Sequence, residues 1–153
     1  MNHPYLKLLV VISSILFSSI TFGKNTELGC LATAIYHEAK SEPTEGKIAV
    51  GYVIINRTKH PSFPNTICGV VQQRNPVPQF PWYKGQELPS KSIEKKPLYK
   101  EALLIAQFIQ SRLVEDRTHG ALFFHAKSVK PYWPRYIKVG RVGGHVFYKL
   151  RGI

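Results

Sequence analysis

Apolar side chains recur at Leu28, Leu31, Ala32, Ile35, Tyr36 and Ala39, the three-and-four spacing of an amphipathic helix over residues 27–40. Thr26 suits its N-cap, where a hydroxyl can accept from a first-turn amide. The run SEPTEGK then breaks the chain and restarts it. Pro43 fits the first turn of a second helix, about 43–57, and Glu45 fits its positive end. Within it IAVGYVII is apolar all round, the mark of a helix buried in the middle of a domain. A buried strand is the competing reading, which the length and the capping disfavour. A third helix is predicted over about 97–114. It opens on Pro97 and carries a stripe of Leu98, Ala102, Ile105, Ala106, Ile109 and Leu113. The period then changes: ALFFHA and GHVFYK read as short strands, joined by the aromatic loop KSVKPYWPRYIKVGRVG. Helices first and a strand pair last make an α+β pattern.

Between the second and third helices, from His60 to Ser92, runs a stretch punctuated by Pro61, Pro64, Pro76, Pro78, Pro81 and Pro89. It also holds Phe63, Phe80, Trp82 and Tyr83. So long a connection inside a compact domain is usually functional.

The first 23 residues stand apart. Lys7 is followed by an apolar stretch from Leu8 to Phe17, and then by the small residues Ser18, Ser19, Thr21 and Gly23. This is the pattern of a secretory signal cleaved after Gly23. A retained membrane anchor is the alternative, but the apolar core is shorter than the roughly 20 residues a spanning helix needs. Residues 24–153 then form one domain, exported to the periplasm or the extracellular wall, and long enough to bury a core.

Composition narrows the chemistry. Of 153 residues, 21 are Lys or Arg and 9 are Asp or Glu, a formal net charge of +12. Two cysteines are too few for a disulfide-stapled miniprotein or a four-cysteine zinc site. In an oxidising compartment Cys30 and Cys68 are expected to pair, stabilising by about 4 kcal/mol on the chain-entropy model; two buried free thiols are the alternative. The cationic and aromatic side chains around Tyr132, Trp133 and Tyr136 could serve nucleic acid, but an exported protein rarely meets it. Anionic envelope polymers are the more fitting partner, and an ordinary soluble basic surface is the plain reading.

Among the few carboxylates Glu38 stands out, at the C-terminal end of the first helix. There it faces the negative end of the macrodipole. That is a poor place for a structural glutamate and a good one for an acid whose pKa must be held up. A solvated helix-end glutamate is the plain alternative. His37 and Glu38 invite comparison with the zinc motif H-E-x-x-H, but Ser41 stands where the second histidine would be. No G-x-S-x-G elbow or phosphate-binding glycine loop is present. No metal and no other cofactor is expected.

The run from Cys30 to Val71 resembles the opening of the SleB-type cell wall hydrolases, the family of spore-cortex-lytic enzymes. Ile35-Tyr36-His37-Glu38-Ala39-Lys40-Ser41-Glu42 matches a first-helix signature. The segments Gly46 to Arg57 and Phe63 to Val71 match a G-x-x-A-V-x-x-V-x-x-N-R helix and an F-P-x-T-x-C-x-V-V segment. Gln79-Phe80, Phe124-His125-Ala126, Pro131-Tyr132-Trp133 and Gly144 to Tyr148 follow in the family's order. Two departures lie near the expected cleft: Lys40-Ser41 replaces Arg-Gly, and Pro81-Trp82 follows Gln-Phe where serine is usual. The resemblance implies a lysozyme-like α+β fold, a helical lobe with a small antiparallel β region. It also implies cleavage of the β-1,4 bond between N-acetylmuramic acid and N-acetylglucosamine by a monomer, with lytic transglycosylation favoured and Glu38 catalytic.

That chemistry suits a carboxylate-poor chain. A hydrolase of the usual kind needs two carboxyl groups, and the nearby partners are Glu42 and Glu45. A lytic transglycosylase needs one, because the sugar's own C6 hydroxyl attacks. Gln79, Phe80, Trp82, His125 and Trp133 are the candidates for contacting peptidoglycan glycan strands, although both tryptophans also read as ordinary packing. Glu42 is a further substrate-side candidate, but bracing the turn after the first helix is its favoured reading. A non-catalytic exported peptidoglycan-binding module and a two-carboxylate muramidase are the competing functions.

Overall fold

A computed structural model describes residues 25–151; the expected signal segment, residues 1–23, lies outside the described residues. The helices are α1 Glu27–Ala39, α2 Thr44–Thr58, α3 Ile67–Gln72, α4 Lys91–Glu94 and α5 Pro97–Gln110. The strands are β1 Phe123–Ala126, β2 Tyr136–Val142 and β3 His145–Leu150. Thr26 caps α1, its hydroxyl accepting from Gly29 N at 3.1 Å. Pro43 sits at the N-cap of α2 rather than in its first turn. Pro97 heads α5 as expected, but the helix stops at Gln110. Arg112 turns into the left-handed region (φ 56°), and Leu113, 71% exposed, leaves the predicted stripe.

Helix α1 runs through the core, packed by α2, α3 and α5. Leu31 and Ile35 share one buried cluster with Ile54 of α2, Val70 and Val71 of α3, and Ile105 and Ile109 of α5. The α2 crossing depends on Gly51. A Cβ there would stand 2.5 Å from Ile109 Cδ1 and 3.0 Å from Ile35 Cδ1, so any side chain would have to push the ends of both isoleucines aside. Of the apolar run of α2, Ala49, Val50, Gly51, Val53 and Ile54 are buried, whereas Ile48, Tyr52 and Ile55 are only partly so, and the helix therefore keeps one face toward the surface. Also buried is Lys47, which pairs with Glu101 of α5 at 2.7 Å.

One short helix, α3, arises inside the Pro-rich stretch, where the sequence predicts only loop, and a second, α4, straddles its end. The amides at the start of α3 find three acceptors. Thr66 Oγ1 takes Gly69 N at 3.0 Å, while Glu27 takes Ile67 N at 2.6 Å and Cys68 N at 3.1 Å. These are groups a helix cannot satisfy internally. The expected Cys30–Cys68 disulfide forms beside them, so a covalent bond and a carboxylate both tie α3 to α1.

The sheet is antiparallel with order β1-β3-β2. Strand β2 occupies the second half of the predicted aromatic loop. It escapes a period-two reading because a register shift between Lys138 and Gly140 interrupts its alternation. A second core cluster joins Ala39, Ala49, Val50 and Val53 of the helices to Ala121 and Phe147. The end of α1 therefore faces two cores: Ile35 and Tyr36 belong to the helical one, and Ala39 to the helix–sheet one. Glu38 lies at that junction.

Candidate active site

Glu38 is half-buried. Trp82 Nε1 donates to its Oε1 at 2.7 Å. The same indole stacks on His37, with ring centroids 4.3 Å apart and planes 17° from parallel. Two consecutive helix residues thus hold one indole, His37 by its face and Glu38 by its edge. Phe80 supports it from within, its ring centroid 5.7 Å from that of Trp82. Burial, together with the charges of Lys40 and Lys96, lowers the pKa of His37, so the stacked imidazole is neutral at neutral pH.

Burial raises the pKa of Glu38 above the ordinary carboxylate value. The hydrogen bond from Trp82 and the charge of Arg57 pull it partly back, and burial prevails. The opposing influences matter chemically. A group that first gives a proton and then takes one must be stable both as the acid and as the anion. Desolvation serves the acid; the indole N–H and the guanidinium serve the anion.

Arg57, in the last turn of α2, is the residue that sequence reasoning used only as part of a signature. It is 5% exposed, and its Nε donates to Leu122 O at 2.8 Å. Its guanidinium lies 5.2 Å from the ring centroid of Phe63 and 5.6 Å from those of Phe80 and Phe123. Nη1 is buried with no partner among the described residues. Burial lowers its pKa to about 10 against the favourable pull of Glu38, so it stays cationic at neutral pH. A cation just after the apolar run of α2 was the available signal.

The other candidates are placed in different surroundings. Trp82 is at the site directly. Phe80, only 2% exposed, is core beneath Trp82 rather than a free cleft wall, because its ring fills the space between the indole and Arg57. Gln79 is half-buried on the same loop, its Nε2 3.4 Å from Val77 O. His125 and Trp133 belong to a separate aromatic cluster on the sheet. The His125 ring shares a hydrogen bond with the Tyr148 hydroxyl at 2.9 Å, and Trp133 packs on His125, Tyr136 and Tyr148. The cluster reaches the Glu38 region through Phe123, which touches Trp133 on one side and Arg57 on the other.

Glu42 is occupied elsewhere. Its Oε2 accepts from Gly144 N at 2.5 Å and lies 3.7 Å from His145 Nδ1. Its carboxylate is packed so closely against Gly46 and Gly144 that a Cβ at either would collide with it. The β2–β3 turn, with Gly143 at φ 56°, is thereby pinned to the α1–α2 junction. This matches the bracing role the sequence favours, with the carboxylate engaged by the β2–β3 turn.

The remaining described acids are also accounted for. Glu27 caps α3, Glu101 holds Lys47, and Asp116 accepts from Thr118, Asn56 and Gly120. Glu45, Glu87, Glu94 and Glu115 lie on exposed positions. Among the described acids only Glu38 combines burial, an aromatic donor and a neighbouring buried cation.

Helical core, three-stranded antiparallel sheet and a partly desolvated glutamate at their junction define an α+β domain of the SleB catalytic type. Two solved structures share the fold. The catalytic domain of the Bacillus cereus SleB protein superposes with a TM-score of 0.56 and 27% identity, covering 80% of this chain and 89% of that one. The catalytic domain of the germination-specific lytic transglycosylase SleB from Bacillus anthracis gives 0.57 and 26%, covering 84% and 98%. The family model for cell wall hydrolases matches residues 41–148, and the chain belongs to that family. Glu38 lies three residues ahead of the matched span. Among curated relatives, the spore cortex-lytic enzyme of Bacillus subtilis (strain 168) is 47% identical over 47 residues, 31% of this chain and 15% of that enzyme. The spore cortex-lytic enzyme of Oceanobacillus iheyensis is 44% identical over 45 residues, 29% of this chain and 16% of that enzyme. The chain therefore aligns with only a small part of these relatives' length.

Proposed function

We propose that this chain is a peptidoglycan-cleaving lytic transglycosylase. It cuts the β-1,4 bond between N-acetylmuramic acid and N-acetylglucosamine, with Glu38 as sole acid and base. One observation carries the reading: a half-buried glutamate with a raised pKa, bonded to one indole and placed near a buried cation, while Glu42, one helical turn on in sequence, is engaged by Gly144 N. Glu38 protonates the leaving glycosidic oxygen while the bond to the muramic C1 breaks. The resulting carboxylate, favoured by Trp82 Nε1 and Arg57, then removes the proton of the muramic C6 hydroxyl as that oxygen bonds to C1. The ring closes to a 1,6-anhydro product, and Glu38 regains its proton. No water is consumed, and the tethered hydroxyl has the advantage of proximity.

The two-carboxylate alternative would need Glu42 to turn from Gly144 N toward the substrate, which would unpin the β2–β3 turn. A binding module without catalysis has no need of a desolvated acid. The expected segment 1–23 and the Cys30–Cys68 bridge both support action outside the cytoplasmic membrane.

The test is the product. Muropeptides released from purified peptidoglycan should end in 1,6-anhydro-N-acetylmuramic acid, lighter by one water than the hydrolysed form. In water enriched in heavy oxygen they should carry no label at the muramic end. Labelled reducing ends would refute the single-glutamate reaction and point to hydrolysis.

A further inference from the structure

Beside Trp82 the Pro-rich loop forms a pocket of about 470 Å3 that has no part in the proton transfer. Its walls include Gln73, Arg74, Pro78, Tyr83 and Lys84, two cations and no carboxylate. Tyr83 borders it on the Trp82 side, with ring centroids 6.5 Å apart.

Arg74 and Lys84 are both exposed residues of the pocket lining. The Arg74 guanidinium lies over the Tyr83 ring, 5.6 Å from the centroid. Its Nη2 would be 2.9 Å from a Cβ built on Gly85, so it rests on that glycine's bare backbone. The turn beneath is braced from inside: Lys84 N donates to Gln86 Oε1 at 2.7 Å, and Gln86 Nε2 reaches Trp82 O at 3.4 Å. The turn beneath Arg74 is therefore bonded to the residue that holds Glu38. A guanidinium's planar fork matches a carboxylate, and the Tyr83 face beside it leaves its N–H edge free to meet one.

A cationic pocket has no charge to recognise on the glycan itself. N-acetylglucosamine is neutral, and N-acetylmuramic acid is neutral once its lactyl group is amidated by peptide. The negative charge of this substrate sits on the carboxylates of the stem peptide. A muramic residue converted to its internal lactam carries neither peptide nor charge.

The geometry points to this pocket as the subsite for the stem peptide of the muramic residue, with Arg74 and Lys84 receiving its carboxylate and Tyr83 and Pro78 packing its apolar groups. The assignment rests on Glu38 being the site of glycan cleavage. It makes the enzyme one that prefers peptide-bearing strands to peptide-free or lactam strands.

The experiment measures binding to the Glu38→Gln protein by calorimetry, so that turnover does not intervene. The ligands are a disaccharide-tetrapeptide, the same compound with its carboxylates amidated, the peptide-free disaccharide, and a poly(glycerol phosphate) oligomer. Amidation should weaken binding by about tenfold to a hundredfold, the range for losing a charge-assisted hydrogen bond. Adding Arg74→Gln should weaken binding of the acidic ligand by a similar factor and leave the amidated ligand unaffected, because the two changes remove the same contact. Affinity indifferent to amidation, additive effects of the two changes, or tighter binding of the phosphate polymer would each overturn the assignment. Cleavage by the wild-type protein is scored separately. Arg74-dependent binding without cleavage would count against the reaction and leave the subsite standing.

Discussion

Replacing Glu38 with glutamine changes one proton and almost no volume. The amide oxygen can still accept from Trp82 Nε1, now 2.7 Å from the carboxylate, so the indole and its stack on His37 should stay in place. The acid is lost. A positioned general acid contributes about 10²–10⁴ in rate, or about 3–5 kcal/mol of barrier, and cleavage of labelled peptidoglycan should fall by that factor. Stability should move the other way. Burial holds the folded pKa of Glu38 above its unfolded value. The protonated group's contribution is then fully present below the unfolded pKa and is lost as pH rises through the folded pKa. At neutral pH the wild type must therefore bury a charge that the glutamine variant does not have. The variant's melting temperature should equal or exceed that of wild type at pH 7.5, and the difference should shrink as pH falls below the ordinary carboxylate range. Calorimetric melts at pH 4 and 7.5, run beside the cleavage assay, read both effects. Retention of more than about a tenth of the activity would remove Glu38 from the mechanism. A variant markedly less stable than wild type at pH 7.5 would show that the carboxylate is a structural anion, contrary to the burial argument.

Other perturbations probe the surroundings. Trp82→Phe keeps an aromatic face for His37 but removes the donor to Glu38. It should raise the Glu38 pKa further, move the alkaline limb of the pH–rate profile upward and lower turnover about tenfold or more, since a hydrogen bond to a charged group contributes roughly 1.5–3 kcal/mol; an unmoved alkaline limb would dissociate the bond from the titration. Gly51→Ala should cost about 1–3 kcal/mol by overpacking, because the new methyl would stand 2.5 Å from Ile109 Cδ1; denaturant melts matching wild type would show that the three helices can part there without cost. Reduction of Cys30–Cys68 should lower stability by about 2–4 kcal/mol, read as a drop in melting temperature with reductant, and an unchanged melt would mean that Glu27 and the core suffice to hold α3 on α1.

The glutamine prediction depends on a geometry that joins chain segments far apart, and this separates what was legible from what was not. Helices α1, α2 and α5 could be read directly, because the side chains that share a helix face recur three and four positions apart whatever the rest of the chain does. Their starts could be read for the same local reason: Thr26 caps its own next turn, and Pro97 lacks the amide a first turn would leave unpaired. The Cys30–Cys68 pairing followed from there being only two cysteines. Helices α3 and α4, with six and four residues, are too short to display a period. Strand β2 has its alternation broken by a bulge. Glu38 could be suspected from its place at a helix end, but its chemistry could not be derived there. The indole that bonds it comes from a loop 44 residues away, and the cation that opposes its desolvation is buried among three phenylalanines from separate segments. The bond that removes Glu42 from contention spans 102 residues. Backbone periodicity is set by neighbours in sequence and is written there. Desolvation and electrostatic balance are set by neighbours in space, and only the packed chain decides them.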